Sequence, residues 1–82
     1  MQTSLEDFKT DWYGVTIGLK ESEIDSLIHN LILLRDKVSQ HFHARSTFTG
    51  SGGIADIEVY LASEASKDDM VFDYSLPIPP TK

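Results

Sequence analysis

Hydrophobic and polar positions change rhythm several times along this chain, and each change marks an element. From Trp12 to Leu19, Val15, Ile17 and Leu19 alternate with Gly14, Thr16 and Gly18, the two-residue period of a strand buried on one side. Ile24, Leu27, Ile28, Leu31, Leu34 and Val38 then recur at the spacing of one helix face, with Glu23, Ser26, Asn30 and Lys37 largely off it. This predicts a helix from about Glu21 to about Ser39. Alternation returns between Gln40 and Phe48, where Phe42 and Ala44 oppose His41, His43 and Arg45. It returns again between Ile54 and Ala62, where Ile57, Val59 and Leu61 oppose Asp56, Glu58 and Tyr60. The TGSGG stretch between them supplies turn chemistry, so the two segments read as a β-hairpin.

The helix ends agree with the pattern. Acidic Glu21, Glu23 and Asp25 open the segment and basic Arg35 and Lys37 close it, as the helix dipole favours. Ser22 with Asp25 resembles a capping box, with Lys20 as the alternative start of the first turn. Ile32 and Leu33 widen the apolar stripe towards a second subunit or the ends of a sheet. Residues 1–10 carry little beyond Leu5 and Phe8 that is apolar and read as a loose lead-in, while MVFDY is a candidate last strand. Residues 75–82, SLPIPPTK, hold all three prolines and read as an extended tail that cannot lie inside a sheet.

The expected fold is therefore α+β, in the order β-α-β-β(-β), with one helix packed on one face of a small mixed three- or four-stranded sheet. The first two strands lie parallel, through a right-handed crossover, if they share that sheet. All 82 residues form one domain, short enough that its core is thin and a homodimer is expected.

Charge and composition narrow the function. With 13 acidic against 7 basic residues and a net charge of −6, the chain lacks the basic footprint that nucleic acid or an anionic membrane requires. Basic partners suit it, although solubility alone produces the same balance. There is no cysteine, which excludes disulfides and thiolate metal sites. The N-terminal stretch is acidic where an export signal is basic, and the longest apolar run, Leu31 to Leu34, is far too short to span a bilayer. The expectation is a soluble, cytoplasmic protein.

The chemistry concentrates at QHFHARSTFTGSGG. A strand projects residues two apart from the same face, so His41 and His43 stand together and face Asp56, Glu58 and Tyr60 across the hairpin. Two imidazoles and one or two carboxylates make a candidate zinc-type set of His41, His43, Asp56 and Glu58. The other reading is a solvated contact face. Ser46, Thr47, Thr49 and Ser51 provide hydroxyls for a triad with these histidines, but an open sheet offers neither a buried orienting carboxylate nor an oxyanion hole. TGSGG lacks the Gly-Lys-Ser/Thr ending and following helix of a phosphate loop. His29 reads as a boundary residue of the helix, and Trp12 and Tyr13 as contact aromatics or a cover for the helix end.

The segment VTIGLKESEIDSLIHNLILL followed by QHFHARS resembles the immunity protein 32 family of small bacterial proteins. The shared features are a strand ending in Gly-Leu, a helix opening rich in Glu with Ile-Asp, an HFH strand and a glycine-containing turn. The resemblance spans roughly Val15 to Gly53 and departs from the family pattern at Lys20 and at TFTGSGG. It implies a cytoplasmic protein that binds and blocks a toxin of competing bacteria, and it supplies no catalytic residues. The combined expectation is a non-enzymatic protein-binding domain without a cofactor. Its partner is another protein, such as a toxin domain, held at His41, His43, Arg45, Asp56, Glu58 and Tyr60. A metal-binding module at the same histidines is the alternative, and a small enzyme the third.

Overall fold

The computed structural model describes residues 1–36 and 40–75. The element order is β1 (Gln2–Asp7), β2 (Tyr13–Gly18), α1 (Glu21–Asp36), β3 (His41–Arg45) and β4 (Asp56–Tyr60). The protein is α+β, as its periodicities require, with its strands in two separate antiparallel pairs, β1 with β2 and β3 with β4. The expected last turn of the helix at Lys37 to Ser39 and most of the proline-rich tail lie outside the described residues.

Three expectations need correction. The lead-in is not loose along its length, because Gln2–Asp7 is a strand in register with β2, from Gln2 opposite Gly18 to Asp7 opposite Tyr13. The Phe8 N–H donates to the Trp12 carbonyl at 3.1 Å, leaving Lys9, Thr10 and Asp11 as the loop. Lys9 and Asp11 have φ of 60° and 67°, and the Asp7 carboxylate accepts the Lys9 N–H at 2.7 Å. A side chain thus stabilises a turn that contains no glycine. Second, β2 and β3 do not share a sheet. A hairpin closed over three residues costs less chain entropy than parallel pairing across a 16-residue helix, and β1 takes one edge of β2. Third, MVFDY forms no strand. Met70, Val71, Phe72 and Tyr74 are all at least 79 % exposed, and the Phe72 and Tyr74 rings stack on each other with centroids 5.5 Å apart.

The helix begins where its charge pattern placed it, with its cap at Lys20, the alternative start of the first turn. The Lys20 N–H donates to Glu23 Oε1 at 2.8 Å and the Glu23 N–H to the Lys20 carbonyl at 2.8 Å. This is the return half of a capping box built on Lys20, not on Ser22. Glu23 also meets the α-amino group of Met1 at 2.5 Å, which ties the start of the first hairpin to the start of the helix. These two contacts, the amine first, hold the Glu23 carboxyl below its ordinary range.

Little of the apolar pattern is covered. Leu34 is the one buried hydrophobic side chain among the described residues. Leu5, Val15 and Ile17 share one face of the first hairpin and are each more than half exposed. Phe42, Ala44, Ile57 and Val59 share the inner face of the second hairpin and are half-buried. No helix among the described residues is long and apolar enough to cross a membrane.

Candidate functional site

The second hairpin builds the polar face that the alternation predicts. Its register sets His41 opposite Tyr60, His43 opposite Glu58 and Arg45 opposite Asp56. Directly opposed residues of an antiparallel pair project to the same side, so all six expected contact residues lie on one face. The Ser46 N–H donates to the Ala55 carbonyl at 2.9 Å and extends the ladder one step.

His43 is the centre of this face. It is half-buried, with its side chain 21 % exposed, while Asp56 and Glu58 beside it are open to solvent. Its Nδ1–H donates to both carboxylate oxygens of Asp56 at 3.0 Å. Its Nε2 lies 3.6 Å from Glu58 Oε1. Arg45 Nε approaches Asp56 Oδ1 at 3.6 Å, so Asp56 bridges the histidine and the guanidinium. The His41 ring stands edge-on to His43 with centroids 5.0 Å apart. His41, His43 and Glu58 offer one ligand atom each within 4.8 Å of one another. Asp56, grouped with them on sequence grounds, is instead engaged at the far side of the His43 ring.

Three of the four candidate hydroxyls of the loop are engaged locally. Ser46 Oγ accepts the Phe48 N–H at 2.8 Å, and the Thr47 and Thr49 hydroxyls lie 3.1 Å apart. A surface depression beside the hairpin is lined by Ala44 to Thr47, Ile54 and Ile57 with Met1 and Thr3, and does not include His43 or Asp56. The other contact candidates are scattered. Trp12 and Tyr13 are exposed at the tip of the first hairpin, and His29 is exposed on the helix.

Sequence reasoning missed the apolar face that β1 completes. Leu5 is opposite Val15 and next to Ile17 on that face, yet a single leucine among QTSLED carries no visible alternation. Comparison with protein-family models, curated proteins and solved structures yields no match.

Proposed function

We propose that this chain is a non-catalytic protein-binding domain whose apolar faces are completed by another protein. The observation that carries the reading is surface. The chain exposes 8171 Å², whereas size scaling gives roughly 4,900 Å² for a compact monomer of its mass. The excess exceeds the roughly 1,200–2,000 Å² that a stable protein complex of standard size buries. Two separate two-stranded sheets also leave strand edges that a partner can pair with.

The charged face of the second hairpin then serves as the polar rim, with His41, His43, Arg45, Asp56, Glu58 and Tyr60 choosing the partner. A net charge of −6 favours a basic target by complementarity. Together with the family resemblance of Val15 to Gly53, this supports an immunity role in the cytoplasm, in which the bound protein is a toxin domain such as a nuclease. A homodimer is the second reading, because a second copy also supplies apolar cover to so short a chain.

The test is capture of the tagged full chain from its own cells, side by side with Val15→Asp. One partner in stoichiometric amount, lost or reduced at least tenfold in the variant, is the expected result. Val15 is already exposed, so the variant leaves the hairpin standing. A chain that stays monomeric and captures nothing, or that captures the same protein after Val15→Asp, sinks the reading.

A further inference from the structure

We propose that His41, His43 and Glu58 form a binding site for a divalent transition-metal ion of the zinc class, with Asp56 as the residue that positions His43. The site goes beyond the protein-binding reading and does not depend on it.

Backbone geometry provides the first part of the argument. His41 and His43 are two apart on β3, and the register brings Glu58 of β4 directly opposite His43. The three donors come from two adjacent strands and need no long loop to assemble. Around a tetrahedral ion with bonds of about 2.1 Å, neighbouring ligand atoms stand about 3.4 Å apart. His43 Nε2 and Glu58 Oε1 are already 3.6 Å apart. The full set lies within 4.8 Å, so closure asks for a movement of about 1.4 Å at most, within reach of side-chain rotation at the exposed His41 and Glu58.

The second part is the hydrogen bond behind the ring. Asp56 accepts the Nδ1–H of His43, and in that tautomer the Nε2 lone pair points towards the Glu58 carboxylate. The two atoms stand 3.6 Å apart, close to the spacing of two ligands of one ion. A carboxylate that holds the outer nitrogen of a ligating histidine is also the usual support of a zinc site, because it fixes the tautomer and makes the free nitrogen a better donor. Two imidazoles and one carboxylate suit zinc, copper or nickel, whereas calcium and magnesium prefer all-oxygen sets. The outward side of the face is open, leaving coordination positions to water or to a donor from a docked protein.

Calorimetric titration of the isolated full chain with zinc chloride tests the site, with magnesium chloride in parallel. One zinc ion per chain and no magnesium binding are expected. His41→Ala should weaken zinc at least tenfold. Asp56→Asn, which leaves all three ligands in place, should weaken it roughly 10- to 100-fold, the range for supporting carboxylates. His29→Ala should change nothing, and circular dichroism of each variant should match the native chain. Absence of saturable zinc binding overturns the proposal, as does binding that survives His41→Ala or falls with His29→Ala. Unchanged affinity in Asp56→Asn removes the positioning role. A zinc result without any captured protein, or the reverse, separates this site from the protein-binding function.

Discussion

Single residues set the geometry of both hairpin tips, and they do so by opposite means. The long loop of the second hairpin depends on glycine. Gly50 and Gly53 have φ of +91° and +148°, conformations that a β-carbon penalises. Gly53→Ala should therefore lower stability by about 1–2 kcal/mol in urea denaturation. Gly52→Ala, at a position without such a φ and with open space around it, should be neutral or slightly stabilising. Equal effects of the two substitutions would contradict the assigned backbone. The first hairpin turns on Lys9 and Asp11 instead, which is why its turn was invisible to a search for glycine and proline while TGSGG was not. The His43 site was half legible in the same sense. Alternation placed its residues on one face, but only atomic positions show Asp56 at Nδ1 of His43 and Glu58 at its Nε2.

At the scale of elements, local sequence predicted what local forces build. β2, α1, β3 and β4 stand where periodicity put them, since side-chain alternation and helical spacing act within a few residues. The helix cap illustrates the limit. Lys20 is a poor capping side chain, yet Glu23 reaches back to its N–H and to the Met1 amine. Because these contacts lower the folded-state pKa of Glu23, its contribution to stability is present above the ordinary carboxyl value of 4.5. It is lost as pH falls through the depressed folded value. Glu23→Gln should be less stable than the native chain at neutral pH, and the gap should close towards pH 3. Urea midpoints followed by circular dichroism at both pH values would show it, and a constant gap would mean that the charge of Glu23 is irrelevant to the cap.

For the whole molecule, the decisive feature is what the elements fail to cover. The radius of gyration is 15.4 Å, against about 12 Å expected for a compact chain of this length. Small-angle scattering of the isolated chain at low concentration should return a value near the larger figure and a smaller internal spread once a partner is bound. A monomer near 12 Å would mean that the two hairpins and the helix close on one another, and the partner would lose its physical reason. Sequence by itself determined the α+β class, the position of the helix and the second hairpin with its histidine face, because each follows from side-chain period and turn chemistry within a short window. Only the tertiary structure decided that β1 exists, that the strands form two sheets and not one, and that the apolar stripe of Ile24, Ile28 and Leu31 remains partly open. Pairing partners and burial depend on loop-closure entropy and on contacts between distant segments, and no local pattern carries that information.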